Sequence, residues 1–250
     1  MKRLFQLVLL LASLACCAPA HATITFSQVK GNASCSATTC SVTGFTAIAA
    51  GSFIVARASS SGTGITFSSG AASGGGTWVI PSGCTTNSDC HESDTTAKSV
   101  MVEYILSSTG SPTSLTVGTA SGTIADTAVA VYTFTGSSMA FDVGAVRDQT
   151  TSATSFAGTS AGTLTGTNDA ILQYGSTNGN FNSCPNSSAS PADFTNGDGL
   201  CGLINSTNNA AGTWGLSTTG AGALGAIAFK ESGGGGAVTL PRLMTMGAGD

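Results

Sequence analysis

Asp89-Cys90-His91-Glu92-Ser93-Asp94 is the densest group of ionisable side chains in this 250-residue chain. Carboxylates at Asp89, Glu92 and Asp94 are hard oxygen donors of the kind that hold calcium, with His91 at the rim, but their spacing matches no defined calcium loop. A solvated loop is the plainer expectation, and calcium is the one cofactor the sequence suggests. Asp193-Phe194-Thr195-Asn196-Gly197-Asp198-Gly199 is also oxygen-rich. Its spacing is wrong for an EF-hand and predicts a tight turn instead. Gly158-Thr159-Ser160-Ala161-Gly162 fits the nucleophile-elbow pattern, which works only on a strand-to-helix turn. The following Thr163-Leu164-Thr165-Gly166-Thr167 is not a helix former, so no catalytic residue is assigned. Trp78 and Trp214 are the candidates for stacking on a sugar ring, with core packing as the competing use of a large aromatic.

The elements that must position these residues belong to an exported chain. Met1-Lys2-Arg3, the apolar run Leu4 to Leu14 and Ala20-His21-Ala22 have the three parts of a cleavable signal peptide, which places residues 1–22 outside the mature fold. The Cys16 and Cys17 contexts fit a lipidation site poorly. No later run is long enough to span a bilayer. Removing residues 1–22 takes two of the eight basic residues and none of the twelve acidic ones, leaving an acidic mature chain. Without a basic cluster there is nothing to displace counterions from phosphate, which argues against a nucleic-acid partner. The expected location is secreted or cell-surface, with the periplasm as an option.

Cys35, Cys40, Cys84, Cys90, Cys184 and Cys201 remain, an even number in an exported chain, which reads as disulfides. Spacing suggests three local staples: Cys35 with Cys40, Cys84 with Cys90, and Cys184 with Cys201. A zinc site is the alternative, but there is no Cys-x-x-Cys pair and His91 is the single mature histidine.

Strand patterns separated by Gly, Ser, Thr and Asn clusters fill residues 23–232, with no helix after the signal. Strands are expected at 24–29, 52–57, 77–80, 99–106, 113–118, 126–135, 141–146, 169–174, 212–217 and 223–230. Runs such as Ala128-Val129-Ala130-Val131-Tyr132 are apolar on both alternating faces and predict central strands, whereas Glu103 marks the open face of a half-exposed one. The fold class is therefore all-β: a single antiparallel sandwich of jelly-roll type with about ten strands. Ser232-Gly233-Gly234-Gly235-Gly236 reads as a linker, and the apolar peptide after it, within 237–250, reads as a disordered or loosely docked end, with an assembly strand limited by Pro241 as the alternative.

Gly51-Ser52-Phe53-Ile54-Val55, Gly75-Gly76-Thr77-Trp78, Met101-Val102-Glu103-Tyr104, Ala128-Val129-Ala130-Val131-Tyr132, Gly212-Thr213-Trp214 and Ala226-Ile227-Ala228-Phe229-Lys230 occur in an order that resembles a loose group of bacterial and phage β-sandwich domains. That resemblance implies a secreted, surface or tail-associated domain and supplies no site residues. Glu92-Ser93-Asp94 also resembles the start of the catalytic strand of retaining β-glucanases. Thr96 and Ala97 stand where the second carboxylate of that motif would fall, so half the machinery is missing. The expectation is a non-enzymatic binding or structural module that engages surface glycan or a protein partner. Self-assembly through the C-terminal tail is the alternative, and a jelly-roll glycan-degrading enzyme is the second.

Overall fold

The computed structural model describes residues 23–60, 65–66, 73–84, 91–93, 98–118, 121–135, 138–166, 169–185, 192–195, 197–207 and 210–231. The expected signal peptide, the C-terminal tail, Asp89, Cys90 and Asp94 lie outside them. Thirteen strands and no helix occur among the described residues.

The first sheet is antiparallel in the order β1 (Thr23–Asn32), β7 (Asp126–Thr135), β3 (Phe53–Ser60), β5 (Ser99–Ile105), β4 (His91–Ser93). β3 and β5 are buried along their whole length, as strands covered on both faces must be. Alternation sends Phe53, Val55, Arg57 and Ser59 to one side and Ile54, Ala56 and Ala58 to the other. The first side meets a second sheet: the Phe53 ring packs edge-on to Phe229, with centroids 4.7 Å apart. The second side is covered by a two-stranded ribbon of β2 (Thr39–Thr43) and β6 (Ser114–Gly118), whose inward Cys40, Val42, Leu115 and Val117 join the same core. Trp78 completes that cover, its indole Nε1 donating to the Thr116 carbonyl at 2.7 Å.

The second sheet runs β10 (Asn180–Ser183), β13 (Thr213–Glu231), β9 (Asp169–Thr177), β12 (Asp198–Ser206), β11 (Ala192–Thr195), with β8 (Met139–Ala157) also paired to β13. Apart from the ribbon, β1 to β7 build one sheet and β8 to β13 the other. The strands are therefore sorted by chain order and are not interleaved between facing sheets as a jelly roll's are.

β13 is one strand where two were expected, 212–217 and 223–230. Its pairing with β8 slips between Gly215 and Gly220 and again between Gly220 and Gly222, which turns a corner. The bend is tight: Arg147 Nη1 reaches the Ala157 carbonyl at 2.9 Å across ten residues of β8. Beyond the corner the ribbon folds over the outer face of the second sheet, where Phe156, Phe181, Trp214, Leu216, Leu224 and Cys201 form a separate core. Further along that outer face, Ala161 and Leu164 of the 158–166 strap cover Ile171, Ala226 and Ala228. Gln173 ties the strap down, donating to the carbonyls of Thr159 at 3.3 Å and Ala210 at 3.1 Å.

Cys35 is disulfide-bonded to Cys40 and Cys184 to Cys201, as their spacing predicts. Cys84 is also disulfide-bonded. Thr77–Ile80 does not form a strand; it contributes one bridge, Val79 to Tyr104.

Candidate functional site

Two groups of charged side chains are built into the fold. The first lies between the sheets. Arg57 on β3 interrupts an otherwise apolar inward row and is wholly buried. Its Nη2 donates to Asp126 Oδ1 at 2.5 Å, and its Nη1 lies 3.5 Å from Asp198 Oδ2 on the facing sheet. Ser59, two residues on and therefore on the same face, donates to Asp198 Oδ2 at 2.7 Å. Asp126 is placed by its register opposite Ser59, and Asp198 by its register opposite Ser176. One guanidinium thus faces two carboxylates in a dry interior, where a charge without a counter-charge is costly. Burial raises the Asp198 pKa, the Arg57 charge lowers it, and the Asp126 charge raises it again, for a net upward shift. The group fastens one sheet to the other. It is sealed from solvent, with Asp126 1% and Asp198 3% exposed, so it presents no cleft to a substrate.

The second group lies on the outer face of the second sheet, at the end of three adjacent strands. Asp142 comes from β8, Lys230 from the central β13 and Asp169 from β9. Lys230 Nζ is 2.9 Å from Asp142 Oδ1, with the Asp142 side chain 1% and the Lys230 side chain 33% exposed. Thr165, from the strap, donates its backbone N–H to Asp142 Oδ2 at 2.7 Å and its hydroxyl to Asp142 Oδ1. Burial opposes ionisation of Asp142, but the Thr165 and Lys230 donors outweigh it and hold its pKa below the usual value. Asp169 is fully buried beside it. Burial first, and the Asp142 charge second, push Asp169 up to about 6. Two neighbouring carboxylates that titrate apart in this way leave the proton on one of them.

Glu103 is a further buried acid. It pairs with Ala56, so it points to the ribbon side of the first sheet, where it is 0% exposed. The expected open face does not exist, because the β2–β6 ribbon covers it. Burial pushes the Glu103 pKa up to about 9 against a small opposing contribution from the Gly118 backbone.

The structure places the sequence candidates differently from a surface site. Trp78 and Trp214 are 0% and 1% exposed and sit in two different cores, so neither ring is open to a ligand. Of the calcium candidates Asp89, Glu92 and Asp94, only Glu92 is described. It is buried and lies opposite Val100 on the face toward the second sheet. Glu103 is on the opposite face, so the two glutamates do not form a facing acid–base pair. Asp198, counted among the calcium-loop oxygens, is turned inward onto Ser59, and β11 meets β12 there in a hairpin. No helix follows Ser160 through Gly166, and the nucleophile-elbow context is missing there. Among the described residues no three His, Cys, Asp or Glu side chains converge as metal ligands.

Arg57, Asp126, Asp142, Asp169 and Lys230 were not singled out from the sequence. Their signal is a lone charge inside, or at the first position of, a strand whose neighbours are apolar. Compared with known protein families, curated proteins and solved structures, the chain matches none.

Proposed function

We propose that this protein is an exported, non-enzymatic binding or structural module that engages an extracellular protein partner, or a surface glycan, through loops held by disulfides. The observation that carries the reading is the combination of a rigid two-sheet body with Cys35–Cys40 and Cys184–Cys201 closing local loops. Disulfides of this kind suit an oxidising compartment, in line with the signal-like residues 1–22. With both tryptophans in the core, an aromatic sugar platform has lost its carriers, which moves the preference toward a protein partner. The charged groups described above serve internal fastening, and a surface poor in charge leaves recognition to backbone, hydroxyl and amide groups.

Light scattering of the 23–250 chain beside a 23–232 truncation, followed by a glycan-array screen of the same samples, tests the proposal. A monomer in both forms that binds a defined glycan, or a purified surface protein, only while its disulfides are intact is the expected result. An oligomer that disappears on truncation replaces it with assembly through the tail. Release of reducing sugar from a polysaccharide overturns the non-enzymatic reading.

A further inference from the structure

Lys230, Asp142 and Asp169 bring an amine, the carboxylate it pairs with and a second, buried carboxyl together, with the amine one-third exposed. Lys230 is opposite Ala140 in the β8–β13 register, so Asp142 is its diagonal neighbour on the same face, within reach of a long side chain. The amine nitrogen is 2.9 Å from a carboxyl oxygen of Asp142. The other oxygen of that carboxyl accepts the Thr165 backbone N–H at 2.7 Å. A fixed N–H in that position stabilises the oxyanion that forms when a carboxyl carbon is attacked. Asp169 is 0% exposed, and a Cβ added at Gly166 would fall on its Oδ1, so the strap backbone closes directly over it. Among the described residues, the strap 158–166 carries no ionisable side chain, and Ser206 of β12 lies opposite Asp169.

We propose that Lys230 and Asp142 become joined by an intramolecular amide bond, a covalent cross-link between β8 and β13, with Asp169 as the proton carrier. The steps balance without any further reactant. The ammonium of Lys230 passes a proton to the Asp142 carboxylate, giving a neutral amine and a neutral acid. The amine nitrogen attacks Cγ, and the N–C bond forms as the carbonyl electrons move onto the oxygen held by Thr165. Asp169 gives its proton to the hydroxyl on Cγ, the C–O bond breaks, and water leaves on the side where Lys230 meets solvent. Asp169 regains its proton from the attacking nitrogen. The raised pKa of Asp169 supports this role, since the group carries a proton under mildly acidic conditions. The product is one amide and one water, and the cross-link is independent of the ligand-binding reading above.

Mass spectrometry of the reduced and alkylated mature chain tests it. The expected intact mass is that of the fully alkylated mature sequence less one water. Trypsin should leave Lys230 uncut and yield a branched peptide joining the segments that contain Asp142 and Lys230. Lys230→Arg keeps the charge and should restore the full mass. Asp169→Asn, with its fold checked by circular dichroism, should also show the full mass. A wild-type chain at full mass, or one short of a water without the branched peptide, overturns the proposal. A folded Asp169→Asn chain that still carries the cross-link overturns the role of Asp169.

Discussion

At the scale of single residues, Glu103 is the clearest source of pH-dependent stability. Its carboxyl titrates near 4.5 when exposed and is pushed up to about 9 by burial. Between those values the folded chain holds a proton that the unfolded chain has lost, so stability falls as pH rises through that window. By pH 7 the penalty relative to pH 4.5 is about 3 kcal/mol, from roughly 1.4 kcal/mol per pH unit. Glu103→Gln keeps the shape and removes the ionisation. Urea unfolding at pH 5 and pH 8 should show the variant nearly equal to wild type at the lower pH and about 3–5 kcal/mol more stable at the higher, with a flatter pH profile. Equal behaviour at both values removes burial as the cause. Val100, Val102 and Tyr104 were legible as buried from alternation alone. Glu103 was not, because alternation reports which residues share a face and says nothing of a third layer covering it. The same limit hid Arg57 and Asp169: a charge in a strand reads as a solvent position until its partner on another strand is known.

At the scale of elements, the corner in β13 depends on close backbone approach. A Cβ on Gly222 would meet the Ser176 carbonyl oxygen, and one on Gly220 would meet the Gly179 backbone nitrogen. Backbone cannot yield as a flexible side chain can. Gly222→Ala should therefore cost about 2–4 kcal/mol and loosen the outer core, seen as a lower urea midpoint and a red-shifted Trp214 emission. Unchanged emission and midpoint would mean that the corner tolerates a side chain. This corner explains why one strand read as two: Thr218-Thr219-Gly220-Ala221-Gly222 has turn composition, and its continuity comes from pairing with β8, β9 and β10. β7 was legible to the residue, because 126–135 is apolar on both faces and ends in Gly and Ser. β2, β10, β11 and β12 were not read, since their Ser, Thr, Asn and Gly content matches a loop and only partners make them strands. The local cysteine pairs were readable for a different reason: chain separations of 5 and 17 residues keep partners close whatever the fold.

At the scale of the whole molecule, the Arg57 group is a charged link between two sheets that also meet through apolar rings such as Phe53 and Phe229. Arg57→Met removes the cation and leaves Asp126 and Asp198 facing each other in the interior. The expected loss is about 3–5 kcal/mol at pH 7, the range for breaking a buried pair from one side. Stability should recover on acidification to pH 5, because Asp198, already raised by burial, loses the Arg57 charge that opposes that shift and takes up a proton more readily. Chemical denaturation across that range reads the effect, and a loss that does not shrink in acid points to lost packing in place of charge.

The sorting of strands by chain order has a consequence for how the molecule is made. Synthesis delivers residues from the amino end, and folding units close in the order they emerge. Here the first sheet and its covering ribbon require nothing from residues beyond β7 for their hydrogen-bonded pairing. Cys35 and Cys40 can be oxidised within that half, and Cys184 and Cys201 within the other. Asp198, on β12, arrives after Arg57 and Asp126 are already in place. An amino-terminal half that closes first exposes Phe53, Val55 and Tyr132, the side chains that meet Phe229 and the second sheet in the finished molecule, until that layer arrives.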